Sequence, residues 1–486
     1  MKKLLVLLLA VIMVFTAVAC ASGEKKPVTG TGNKPSTDAT TPETTTDPPG
    51  SHIPEMDFDG ADFRISARGM KEAFVDEDST DIYEIAADRR NKEIMDEFNV
   101  RLERIWASST IGVHPGELIT MALSDVDFCE LAMPGLMDST SLITNGVVKN
   151  WANYEYTDLS QPYWMSDFND MYTIKGNIYT TVGYNCTTTV VFTYGVFYNR
   201  TKGEMMDANL SSRIFDTIRE GDWTYDYFYD IVSDVYDDVD DINGRSAGDF
   251  YGLVAEANTN VDNYHQAWDL PVMTNDPETG FNLDSYFTEK LVSAVDMIDE
   301  LYSANGSYIP ADAFEPIRRF VDGKALFTTT FLEKCFFEFR SMEDDYTILP
   351  YPKYDENQQD YQTGVMDNMS VFTIPITVKN DDMVSVITEV LNFYSWRDTY
   401  YVKRDACLKG KYARDPETVE MLTILFDGLT SDPAYVMSRT VRAPYLMREV
   451  IRGYYPDIRT AWDSNVETYN EQIRLFMEKY EAWANS

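Results

Sequence analysis

The sequence predicts an α/β body with parallel sheets, and three observations predict it. Residues 56–133 alternate strand, helix, strand, helix, strand, the rhythm of a parallel sheet joined by crossover helices. The pattern changes near residues 179–198, where two strand-like runs precede a second series of helices and strands. Beyond a polar N-terminal stretch, enough of the 486 residues remain for two or three domains of ordinary size.

In chain order, residues 56–67 read as a short strand, with Phe63 and Ile65 alternating against polar neighbours. Residues 68–70 follow as a loop. Residues 81–98 read as a helix with Ile82, Ile85, Ala86, Ile94 and Phe98 on one apolar face, and Asn99 suits its left-handed end. Residues 100–106 form a second strand, 117–123 a helix and 127–133 a buried strand. Residues 179–185 and 190–198 are strand-like, and helices and loops follow to residue 310. Residues 320–330 and 346–352 read as strands separated by a helix, 371–376 as a strand and 382–396 as an amphipathic helix. The C-terminal stretch is helical and Tyr-rich.

The N-terminus has the layout of a secretory signal peptide: Lys2 and Lys3, an apolar run from Leu4 to Phe15, then small residues up to Cys20. The run is shorter than the roughly 20 apolar residues a bilayer requires. Ala17-Val18-Ala19-Cys20 resembles a bacterial lipobox, which implies cleavage before Cys20 and lipidation of its thiol. Two or more acyl chains would make that attachment stable. Residues 21–54 are Thr, Pro, Gly, Ser and charge, with too little apolar surface to offset ordering, and read as a disordered tether. The expected location is the extracytoplasmic face of the cell membrane.

The net charge of −39 argues against a nucleic-acid partner and against docking on an anionic membrane, leaving the lipid as the only membrane contact. Aromatic residues make up 13% of the chain, so stacking surfaces are available alongside a large core. Cys129, Cys186, Cys335 and Cys407 are far apart, form no C-x-x-C pair and read as buried thiols; whether they pair cannot be assigned from spacing. No cofactor or metal is expected. The chain has 3 His, one of them in the tether, and lacks G-x-S-x-G and H-E-x-x-H. The acidic run 237–244 fails the EF-hand register, because a Gly244 at position six puts Val239 first and Phe250 twelfth.

Six motifs in order resemble the extracellular solute-binding proteins of ABC importers, carbohydrate type. Tyr198-Asn199-Arg200 is similar to the family's strand end after the first hinge, and Gly221 to Phe228 (GDWTYDYF) to its Thr-capped helix start. Tyr251-Gly252-Leu253, Phe320 to Phe327 (FVDGKALF), Leu349 to Pro352 (LPYP) and residues 371–396 resemble the elements that follow. Tyr227 departs from the family's usual Glu, so Thr224 caps without a reciprocal partner. The resemblance implies a type II periplasmic-binding-protein-like fold, two mostly parallel α/β lobes joined by crossing hinge strands. It also implies a monomeric receptor with no enzymatic activity, which binds a carbohydrate between the lobes and delivers it to ABC permease subunits. Lobe 1 would comprise 56–185 and 365–405, and lobe 2 would comprise 186–364 and 406–486, with crossings near 184–190 and 364–370.

Sugar recognition needs aromatic faces for C–H surfaces and planar amides, carboxylates or guanidinium groups for hydroxyls. The candidates near strand ends and crossings are Arg68, Tyr184, Asn185, Asn258, Tyr264, Phe331, Asp367 and Asn368; Met133 joins them because the resemblance implies ligand contact at that strand end, and Arg442 lies in a C-terminal loop between helices. Tyr184 and Asn185, at the expected first crossing, are favoured most. Phe331 stands in for the family's stacking aromatic. Two other readings remain open: a surface-anchored glycan hydrolase using paired carboxylates, and a ligand-sensing subunit of a signalling system.

Overall fold

Strand β1 (Ala61–Ala67) and helix α1 (Ile82–Phe98) show how local sequence sets the first unit of the fold. The structure is a computed structural model describing residues 48–484, apart from 77, 240, 241, 243 and 410–415 and the side chains of 406–409. Cys20, most of the tether, the Cys407 side chain and part of the acidic run therefore lie outside the described residues. Asp81 caps α1 by accepting the N–H groups of Tyr83 and Glu84, at 3.0 and 3.3 Å. Asn99 ends it at φ 46°, in the left-handed region, and the chain turns straight into β2 (Val100–Trp106). Strand β2 pairs in parallel with β1 over its whole length. After helix α2 (Val113–Leu123), β3 (Leu131–Met133) adds in parallel to the other side of β1. Phe63, Ile65, Ile94, Phe98, Leu118 and Leu131 fill the core beneath this three-stranded sheet.

The second sheet is larger and mixed. Its strands are β4 (Tyr194–Asn199), β5 (Tyr236–Asp237), β6 (Phe250–Val254), β9 (Ser307–Tyr308), β10 (Ala325–Phe331) and β11 (Tyr346–Leu349). The order is β11-β4-β10-β6-β5, with β9 also on β6. Strand β4 runs antiparallel to β10 and β11, while β10 and β9 are parallel to β6. A small hairpin, β7 (Thr274–Asp276) and β8 (Gly280–Asn282), stands apart. Helix α3 (Tyr225–Val232) begins at Thr224, whose hydroxyl accepts the Tyr227 N–H at 3.5 Å; helix α4 (Thr259–Ala267) follows β6. Phe320 and Val321, expected to begin a strand, instead end a helix over 315–321. Pro316 opens this helix, α5 (Glu315–Val321), and Gly323 at φ 66° turns the chain into β10.

Three segments connect the two sheets. Thr193 bridges Val365 in antiparallel fashion, the Met366 N–H donates to the Phe192 carbonyl at 3.0 Å, and β12 (Thr363–Gly364) pairs in parallel with β13 (Leu429–Thr430). The first crossing thus falls at 192–193, not at 184–190. Residues 188–191 form one helical turn held to the first lobe, because Glu72 accepts the Thr188 N–H and hydroxyl, both at 2.8 Å. Gly183 explains how the preceding segment gets there: a Cβ at this position would lie 2.2 Å from the Asn392 amide oxygen. The segment 371–376, expected as a strand, makes only single bridges, Ala132↔Thr373 to β3 of the first sheet and Thr181↔Phe372 to the segment before Gly183, and then leads into α6 (Asp381–Tyr394). The C-terminal helix α7 (Ile458–Ala484) spans both lobes. Its Trp462 stacks on Phe287, and its far end reaches Ile174 and Tyr179 through Tyr480 and Trp483. No described helix is long and apolar enough to cross a membrane.

Candidate functional site

Strands β6 and β10 lie side by side in parallel, and past their carboxyl ends opens a cavity of about 350 Å³. Open α/β sheets hold ligands in that place, and the volume is within the usual ~300–1,000 Å³ of small-molecule sites. Phe331, the last residue of β10, supplies an aromatic wall, held by Tyr194 at 4.6 Å and Phe192 at 6.3 Å between ring centres. The opposite wall comes from the start of α4. There Glu256 accepts the Asn260 N–H at 3.2 Å and the Thr259 hydroxyl, so its carboxylate caps the helix. Asn260 donates its amide to the Thr329 carbonyl at 2.6 Å, while its amide oxygen, also buried, has no partner among the described residues. Such an atom costs roughly 1–3 kcal/mol until something donates to it. Phe314, just before α5, is exposed at the lip.

The hinge side of the cavity is polar. Asn368 lines it, and Arg68 holds Asn368 in place. The guanidinium donates to the Asn368 amide oxygen at 2.7 Å, to its carbonyl at 2.9 Å and to the Ser370 hydroxyl at 2.9 Å. Burial lowers the Arg68 guanidinium from its ordinary value, opposed by the charges of Glu72 and Asp138. Gly135 makes this geometry feasible, since a Cβ there would lie 2.6 Å from the Asn368 amide oxygen. Around this centre the acids are already engaged. Arg439 pairs with Asp138 at 2.6 Å and Arg448 with Asp262 at 2.7 Å, while Ser438 (2.6 Å) and Tyr445 donate to Asp367. Burial pushes the Asp367 and Asp262 carboxyls up, Asp262 strongly, against the pull of Arg448.

Of the residues singled out from sequence, the structure brings Asn258, Phe331 and Asn368 to this cavity, with Arg68 one hydrogen bond behind and Asp367 buried beside Asn368. Met133 ends β3 inside the core. Tyr264 is buried in an aromatic cluster, 4.5 Å from Trp268 and 5.4 Å from Tyr351. Arg442 is half exposed, paired with Glu449 at 2.8 Å. Tyr184 and Asn185 are not brought to the cavity. Tyr184 stacks on Tyr400 (4.2 Å, 9°) in a separate hollow at the hinge, and Asn185 is fully buried against Asn392 and Ser395. Sequence reasoning missed Asn260 and Phe314. An Asn two positions after Asn258 at a helix start, and a lone Phe in a polar stretch before Pro316, were the available signals.

Other hollows exist. One of about 580 Å³ lies outside the hinge between Arg219, Gln359 and Gly428, and is larger. The strand-end cavity is the better candidate because it combines an aromatic wall with a buried unpaired amide oxygen, which a solvent-facing hollow does not. Cys129, Cys186 and Cys335 are buried free thiols, and burial raises each. No group of three or more His, Cys, Asp or Glu side chains suited to a metal occurs among the described residues.

No protein-family model matches the chain, and no curated protein matches it by sequence. Solved structures do resemble it. The galacto-N-biose-/lacto-N-biose I-binding protein of an ABC transporter from Bifidobacterium longum aligns with TM-score 0.57 at 11% identity, over 86% of this chain and 98% of that one. The sugar-binding protein MalE from Xanthomonas citri gives 0.56 at 12%, over 87% and 100%. The GacH receptor of Streptomyces glaucescens, solved with acarbose, gives 0.53 at 10%, over 85% and 99%. These likenesses establish the fold: two α/β lobes of the type II periplasmic-binding kind.

Proposed function

We propose that this chain is a solute-binding receptor of an ABC importer, anchored outside the cytoplasmic membrane by a lipid on Cys20, which captures a sugar or oligosaccharide between its lobes. The single observation that carries the reading is the strand-end cavity, where an aromatic wall stands beside an unpaired buried amide oxygen. An aromatic face suits the C–H surface of a pyranose and an amide oxygen accepts a hydroxyl, so the pair selects a ring carrying both. The similar structures support the reading, since all three are receptors or binding proteins for a sugar or acarbose. The motif order and the Ala17–Cys20 lipobox support transport and anchoring.

In this mechanism the protein does no chemistry. Ligand contacts made better with the lobes together shift the population toward the closed form, and the permease reads that form. Calorimetry against a panel of mono- and oligosaccharides, with product analysis of the same mixtures, tests it. Stoichiometric binding without products is expected. Turnover would move the chain to the hydrolases, and binding of a non-sugar solute alone would remove the carbohydrate assignment. Radiolabelled palmitate incorporated by the wild type and absent from Cys20→Ser checks the anchor.

A further inference from the structure

Among the described residues, Trp106 is the most exposed aromatic ring, at 71%. Scattered exposed apolar side chains are ordinary. Two features separate this one from the rest. The first is its place. Trp106 ends β2 opposite Ala67, the residue before Arg68, and therefore stands at the carboxyl end of the first sheet.

The second is how firmly it is held. The Arg104 guanidinium lies 3.3 Å from the indole ring centre, covering one face and leaving the other to solvent. Arg104 is itself fixed, donating to the Arg68 carbonyl at 2.9 Å with Phe74 at 6.0 Å on its flank. Its Nε is buried with no partner among the described residues. Arg68 in turn holds Asn368 at the cavity. Trp106, Arg104, Arg68 and Asn368 thus form a continuous path from the rim of the first lobe to the cavity floor.

We propose that the cleft takes a saccharide of at least two rings, with an inner ring in the strand-end cavity and an outer ring stacked on the free face of Trp106. The inference rests on the sugar-receptor reading and sharpens it to chain length. A rigid indole backed by a guanidinium offers a flat surface to ring C–H groups, and beside it N–H donors for hydroxyls. Because the platform is already ordered, little side-chain freedom is lost when the outer ring settles.

The test is calorimetry on the full chain with α- and β-linked saccharides of one to five rings, for the wild type, Trp106→Ala and Trp106→Phe. Wild-type affinity should rise at least tenfold from one ring to two or three. Trp106→Ala should lose most of that rise and keep the one-ring affinity, while Trp106→Phe retains most of it. All three should melt alike, since the side chain is exposed. A full rise in Trp106→Ala, or a wild type that binds one ring as tightly as any longer saccharide, overturns the proposal and leaves the receptor reading standing. A wild type that binds no saccharide of any length overturns both.

Discussion

The strand-end cavity and the hinge hollow are nearly the same size, about 350 and 340 Å³, and each is walled by aromatic rings. Their side chains are committed differently. In the hinge hollow Tyr184 lies flat on Tyr400, and Trp164 donates to the buried Glu389 at 2.9 Å, so these rings are engaged within the protein. In the strand-end cavity Phe331 is steadied from behind, while the Asn260 amide oxygen is left unpaired. Concavity and aromatic content do not distinguish a binding site from a structural joint. What sets the strand-end cavity apart is its place past the ends of parallel strands, with the Asn258, Asn260 and Asn368 side chains in its wall.

The comparison breaks most sharply at Phe331. Phe331→Ala should weaken saccharide binding by about 2–3 kcal/mol, the scale of a hot spot, measured by titration with the tightest saccharide found. Affinity unchanged in a folded variant would move the ligand out of this cavity. At the other hollow, Tyr184→Ala with Asn185→Ala should cost about 2 kcal/mol of stability, because a stacked ring and a buried amide are lost together. Its saccharide affinity should stay within about 0.5 kcal/mol of wild type. An intact melting curve with lost affinity would reverse the assignment of the two hollows.

The smallest effect concerns the brace behind Trp164. His52 lies 3.1 Å from Glu389, and this contact holds the imidazole above its usual 6.5. A raised histidine contributes stability that is fully present below pH 6.5 and is lost as pH climbs through its folded value. The melting-temperature gap between wild type and His52→Ala should therefore be widest near pH 6 and close by pH 9. Its size is no more than about 1 kcal/mol for a partly exposed pair. A gap that is constant across the series would mean that His52 acts by packing alone.

Much of the fold was legible because it is locally encoded. The span of α1 and its left-handed end at Asn99 were legible, though Ile82 and Ile85, read as part of its apolar face, are exposed and the buried face runs through Tyr83, Ala87, Ile94 and Phe98. The first crossing was not legible, and the reason is tertiary. Val190-Val191-Phe192 reads as strand, yet residues 188–191 coil because Glu72, 116 positions earlier, captures the Thr188 N–H. The same distinction runs through the site. Phe331 ends β10, Asn258 follows β6 and Asn368 lies at the return crossing, places that motif order locates. The pairing of Tyr184 with Tyr400 depends on a helix continued through π-helical turns at 395–399 and 402–409, which no periodicity announced.

The bridging role of α7 bears on when this protein can finish folding. The Tyr480 hydroxyl donates to the Ile174 carbonyl across 306 positions of sequence, and Trp483 packs on Tyr179, 4.6 Å away. The first lobe is therefore covered here by residues of α7. A nascent chain still missing α7 has its first sheet but lacks the cover over Gly146 and Tyr179. Contacts of such long sequence separation form slowly and late. Closing the first lobe over these residues thus waits until α7 has been made.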